Sequence, residues 1–160
     1  ENYNSGDLET VREMLLDENT VCGVADAGAH VGLICDASSP TYLLTHWARD
    51  RTRGEQLPLE FLVRKQTMDT ARTYGLNDRG IVAPGYKADF NLIDMKSLNL
   101  LAPELVYDLP AGGRRFVQKA TGYRHTFVSG IEVMRDGEFT GELPGKLLRG
   151  SQLTPGQAAE

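Results

Sequence analysis

The amino-acid sequence predicts an α/β half followed by a β half, with the change near residue 80. Before that point apolar residues recur at helical spacing, and after it they come in short alternating runs punctuated by glycine. The first half also holds one run, Thr20 to Ala25, of β-branched and small residues without alternation, the pattern of a strand covered on both faces. At 160 residues, 41% hydrophobic and 24% charged, the chain can bury a core and has room for one domain or a domain with a fragment.

Asn4, Ser5 or Asp7 can cap a first helix, in which Leu8, Val11 and Leu15 form one inward stripe that ends near Asp17. The predicted buried strand Thr20 to Ala25 then runs straight into Asp26-Ala-Gly-Ala-His30. Ser39-Pro40 opens a second helix, with Leu43, Leu44 and Trp47 inward and a charged end at Arg49, Asp50, Arg51 and Arg53. That arginine group reads as a solvated helix end. Leu57-Pro58 opens a third helix with Leu59, Leu62 and Val63 inward, and Thr67 caps a further short one stopped at Tyr74-Gly75.

From Gly80 the signals are those of strands and turns. Pro84-Gly85 marks a turn, Ala88 to Asp94 a strand with Phe90 and Leu92 on one face, and Arg124 to Val128 another strand that ends at Ser129-Gly130. Ile131 to Met134 and Glu138-Phe139 are joined by Arg135-Asp136-Gly137, and Asp-Gly is the chemistry a tight hairpin prefers. Residues 95–122 read as loop, with Pro103, Pro110 and Gly112-Gly113 as markers. The last ten residues are expected to fray. The domain reading is therefore 1–79, 80–150 and a flexible tail at 151–160.

Charge and cysteine content narrow the function. A net charge of -5 speaks against a nucleic-acid or anionic-lipid partner, and no window approaches the roughly 18 apolar residues of a membrane helix. Two cysteines, Cys22 and Cys35, are too few for a disulfide scaffold and read as small apolar fillers in a reducing, cytoplasmic setting. Asp26 is the sharpest candidate, because an acid at the carboxyl end of a buried strand lies where barrels and open α/β sheets gather their active sites. It can hold a metal or move a proton, and it can equally cap a turn aided by Gly28. His30 lies close enough in sequence to reach the same cavity. His46 and His125 read as structural, and neither His-x-His nor His-Glu-x-x-His occurs, so the chain alone does not complete a zinc site. Arg114 and Arg115 read as ties between a loop and neighbouring carboxylates.

Several stretches taken together carry more information than any one residue. Thr67, Ala71, Gly75-Leu76, Arg79-Gly80-Ile81, Pro84-Gly85, Ala88-Asp89-Phe90 and Ile93-Asp94 follow an order that resembles the carboxyl end of the amidohydrolase superfamily. Val21 to Gly32 is similar to that superfamily's eighth barrel strand with its aspartate. Cys35 to Thr41, Tyr107 to Arg115 and Gly141 to Gly150 narrow the resemblance to D-aminoacylases, the N-acyl-D-amino-acid deacylases. The resemblance implies the carboxyl-terminal part of a metal-dependent TIM-type (β/α)8 barrel, followed by strands of a small β-sandwich. It implies a zinc hydrolase acting on small-molecule N-acyl amino acids, with Asp26 as the catalytic proton carrier and a possible metal ligand, and His30 as a substrate contact. A sister activity on cyclic amides, or a non-catalytic structural module, is the alternative. A full barrel takes about 250 residues and draws its site from several strands. Since the chain opens on Glu1 and lacks the family's histidine pair, the expectation is a piece that misses the amino-terminal barrel portion and is inactive alone.

Overall fold

A computed structural model describes residues 6–23, 25, 32 and 36–157. Four helical elements come first. Helix α1 spans Glu9–Leu16, and the Asp7 carboxylate accepts from the Glu9 N–H at 3.0 Å, so one of the three capping candidates does serve its start. Helix α2, Ser39–Thr45, carries Pro40 in its first turn and runs on as a π-helical turn over His46–Asp50. Helix α3, Leu59–Arg64, likewise continues as a π-helical turn over Lys65–Asp69 and then as α4, Thr70–Thr73. Thr67 therefore starts no new helix: its hydroxyl donates to Val63 O at 2.8 Å inside a continuous one. The stop at Gly75 is as expected, with φ at +70° and Leu76 N–H returning to Ala71 O at 2.8 Å.

The core lies between these helices and the segment after the first long strand. Leu44, Trp47, Leu57, Leu62 and Leu98 are its buried residues, and Leu8, just before α1, packs against it with Val11 and Leu15 of that helix, as the stripe predicted. Val63, expected inward, is 44% exposed. The Leu59–Leu62 stripe continues instead to Lys65, which is buried.

The second half holds β1 (Phe90–Ile93), β2 (Asn99–Leu100), β3 (Glu104–Leu109), β4 (Gly113–Val117), β5 (Ala120–Thr121), β6 (Tyr123–Val128), β7 (Ile131–Arg135) and β8 (Glu138–Phe139). They form three antiparallel sheets: β1-β6-β7-β8, β2-β5 and β3-β4. The tight turn expected at Asp136-Gly137 is present, and the strand end expected at Ser129-Gly130 is a second one. Ser129-Gly130 joins the pair Val128↔Ile131 and Asp136-Gly137 joins Arg135↔Glu138, all four turn residues having positive φ. On β1 the Phe90 and Leu92 side chains are 44% and 55% exposed, while a register shift after Leu92 accompanies the contact of Ile93 with the core.

Two expectations are corrected by the strands. Residues 95–122 are not a plain loop, because Glu104 to Leu109 folds back on Gly113 to Val117, and Asn99-Leu100 finds Ala120-Thr121 across the sequence. Thr20 to Gly23 and Ala25 belong to no strand. A buried parallel strand needs flanking ladders, and among the described residues no strand precedes Phe90. The closing residues are tied at one point, where Gln152 N–H donates to Gly75 O at 2.8 Å and Asn77 Nδ2 to Gln152 O at 3.1 Å. Gly122 passes close under the segment that carries Leu98 into the core: with φ at +92°, a Cβ there would sit 2.5 Å from Leu98 Cα, so only glycine fits.

Candidate functional site

Asp26, His30, Gly28 and Cys35 all lie outside the described residues. What is described is the approach to Asp26. Helix α1 ends in a turn in which Asn19 N–H donates to Asp17 Oδ1 at 2.8 Å and the Thr20 hydroxyl lies 2.6 Å from Met14 O. Lys65 reaches this turn from the far side of the core and donates to Asp17 O at 2.7 Å and Thr20 O at 2.6 Å. Cys22 follows, half-buried, its thiol pushed up by desolvation and drawn partly back by the nearby Lys65 charge.

The other end of α1 is held by a second buried cation. Arg51, whose side chain is 1% exposed, donates to Asp7 O at 3.1 Å and to the Glu9 carboxylate at 2.8 Å, and its guanidinium lies 4.6 Å from the Trp47 ring centre. The solvated helix end read from the sequence is thus overturned for this residue. Arg49 turns inward too, donating to Met95 O at 2.6 Å and Leu98 O at 2.9 Å. These arginines are structural ties that sequence spacing alone missed, and the signal for Arg51 was its place just after the Leu44–Trp47 stripe.

The remaining candidates settle as structural. His46 stacks on Tyr42 with ring centres 4.8 Å apart and meets Trp47 edge-on at 5.2 Å. Burial, then the Arg51 charge, lowers its pKa and favours the neutral ring. His125 on β6 pairs through Nδ1 with Glu132 on β7, and Arg135 holds the same carboxylate. Those two partners, Arg135 first, pull the Glu132 pKa down to about 2. Arg115 forks onto Asp108 at 2.8 and 2.6 Å across the β3-β4 turn, the loop tie expected from the sequence.

A cavity of about 530 Å³ opens between α2, α3 and β1, lined among others by Leu44, Val63, Ile81, Lys87, Phe90 and Tyr123. It takes no lining from the run at Thr20 to Gly23. Among the described residues no group of three or more His, Cys, Asp or Glu side chains is placed to hold a metal ion. The described part therefore does not by itself fit a zinc centre. Its buried cations tie both ends of α1 to the helical core.

Comparison with known proteins gives this arrangement its context. D-aminoacylase of Alcaligenes xylosoxydans xylosoxydans is 32% identical over 106 residues, covering 66% of this chain and 19% of that protein. N-acyl-D-aspartate deacylase of the same organism is 34% identical over 113 residues, covering 69% and 21%. Adenine deaminase of Sinorhizobium fredii is 35% identical over 91 residues, covering 54% and 15%. The crystal structure of a D-aminoacylase is 34% identical, with a TM-score of 0.48 over 64% of this chain and 19% of that one. The chain thus spans about a fifth of the length of these relatives or less. The family model described as amidohydrolase family matches residues 4–134, from ahead of α1 into β7, and the chain belongs to the amidohydrolase family.

Proposed function

We propose that this chain is the carboxyl-terminal part of a zinc-dependent amidohydrolase that cleaves the linear amide of N-acyl-D-amino acids. The observation that carries the reading is the shared sequence with D-aminoacylase and N-acyl-D-aspartate deacylase over two thirds of the chain, inside a family match that runs from residue 4 to 134. In this reading the run from Thr20 to Ala25 corresponds in sequence to the place of the family's last barrel strand, though its described residues form no strand here, and residues 80–150 contribute strands to its small β-sandwich.

Amide hydrolysis forms a C–O bond to water, breaks the C–N bond and must bring a proton to the departing nitrogen. Asp26 is assigned that proton traffic: its carboxylate takes a proton from the attacking water and returns it to the amine. His30 contacts the substrate. Among the described residues no cluster is placed to hold a metal, so in this reading further metal donors are supplied from outside these 160 residues and the chain alone does not turn over substrate.

The test is to assay the gene's full-length product on N-acetyl-D-amino acids, their L counterparts, cyclic amides and adenine. The D-series should be hydrolysed, and Asp26→Asn should lower kcat by about 10³-fold, within the usual range for a lost general acid–base group, while bound zinc stays. A second reading, hydrolysis of a C–N bond in or attached to a ring, is favoured by the adenine deaminase relative and by allantoinases 32% and 33% identical to this chain. Turnover confined to cyclic amides or adenine would establish it in place of the first.

A further inference from the structure

Lys65 is 3% exposed, and among the described residues it is the only lysine that is buried. Such burial needs a compensating partner, and none of its recorded partners is a carboxylate. Its ammonium donates instead to Asp17 O at 2.7 Å, Thr20 O at 2.6 Å and Thr20 Oγ1 at 3.2 Å, three acceptors for its three N–H donors. The stem runs along the core beside Leu62, and Nζ sits 5.8 Å from the Phe61 ring centre. Two features make this more than helix capping. The cation closes the carboxyl end of α1, where the helix dipole favours positive charge, yet it reaches past that end to Thr20. Thr20 is also the last residue before Asp26 that makes a hydrogen bond among the described residues. From there Val21, Cys22 and Gly23 run on without a hydrogen bond to another described residue.

We propose that Lys65 is a positioning residue: its buried ammonium pins the Asp17–Thr20 turn and so fixes the origin of the run that delivers Asp26. The proposal rests on the deacylase reading for its catalytic consequence, and on the cradle alone for its structural one. Arginine cannot substitute, because a planar fork does not satisfy three acceptors converging on one point.

The experiment uses the full-length product and three variants, Lys65→Met, Lys65→Arg and the milder Thr20→Val, with Lys96→Met on the exposed surface as control. Hydrogen exchange is followed at the amides of Asp17, Asn19 and Thr20, each of which donates a hydrogen bond. Lys65→Met should speed their exchange about tenfold or more, Lys65→Arg should not restore it, and Thr20→Val should give a smaller rise. Turnover of an N-acetyl-D-amino acid should lose about tenfold or more in kcat with KM within about twofold, whereas general loosening would lower the folded fraction and leave kcat per folded molecule intact. Unchanged exchange in both Lys65→Met and Thr20→Val overturns the cradle. Faster exchange with unchanged kcat overturns the positioning role and leaves the deacylase reading standing. A wild-type product without activity on N-acyl-D-amino acids overturns the deacylase reading and the catalytic consequence with it, while the exchange data still judge the cradle.

Discussion

Leu44, Trp47, Leu57 and Leu62 in the helical half are at most 6% exposed, whereas Phe90, Leu92, Leu105 and Tyr107 on the strands are 40% to 66% exposed. The two regions are held by different forces. The helices interlock around a shared apolar centre, reinforced by the inward arginines and Lys65. The strands rely on backbone ladders, two tight turns and ion pairs near the surface, such as Arg124 with Asp94 and Asp136. Surface pairs of that kind contribute little, so the β half draws its stability from hydrogen-bonded register and from its few contacts with the helical core. Leu98 is the clearest of those contacts.

The comparison is broken or sharpened by three measurements. The largest effect is expected at Leu62, whose side chain is fully enclosed: Leu62→Ala should cost about 3 kcal/mol in denaturant unfolding, from lost transfer energy plus a cavity. Leu92→Ala, half in solvent, should cost less than about 1 kcal/mol. Equal losses at the two sites would mean that the strands are packed as tightly as the helices. Next comes Gly122→Ala, which forces a Cβ against Leu98 backbone at a positive φ; a loss of about 2 kcal/mol is expected, and a neutral result would show that Gly122 does not press on the segment that carries Leu98 into the helical core.

The smallest effect is a matter of pH. The Glu132 pKa is depressed to about 2 from a usual 4.5, so its pairing contributes stability that is fully present above 4.5 and fades as pH falls toward 2. Glu132→Gln should flatten stability across that window and leave its shape at higher carboxylate-independent pH unchanged. A melting series of both proteins from pH 5 to 2 reads this difference, and parallel curves would remove Glu132 from the account.

Much of this architecture was legible because it is written locally. The Leu8, Val11, Leu15 stripe, the Leu44 and Trp47 face and the Asp136-Gly137 turn each follow from a few adjacent residues. The β2-β5 pairing was not, since Asn99 and Thr121 meet only through the chain between them, and the prolines and glycines of that stretch read as loop. Lys65 and Arg51 were missed for another reason: a charged residue at a stripe position is ordinarily solvated, and only the three-dimensional supply of carbonyl acceptors shows that it is not. Of the site itself, the sequence offered Asp26 by its place after the Thr20 to Ala25 run, with His30 close behind it, and the resemblance to a family strand gave both their roles. The family is established, and the roles of those two residues are carried by the proposal above.

Helix α1 contains no fully buried side chain, yet Arg51 grips its first turn and Lys65 the turn beyond its last. Two clamps a set number of residues apart make the segment a spacer of fixed length. Adding or deleting one residue between them would rotate everything beyond by about 100°, swinging Leu15 off the core and one clamp out of reach. Among homologous sequences, length variation should therefore be tolerated before Asp7 or in the surface turns of the sheets, and purged between Leu8 and Thr20.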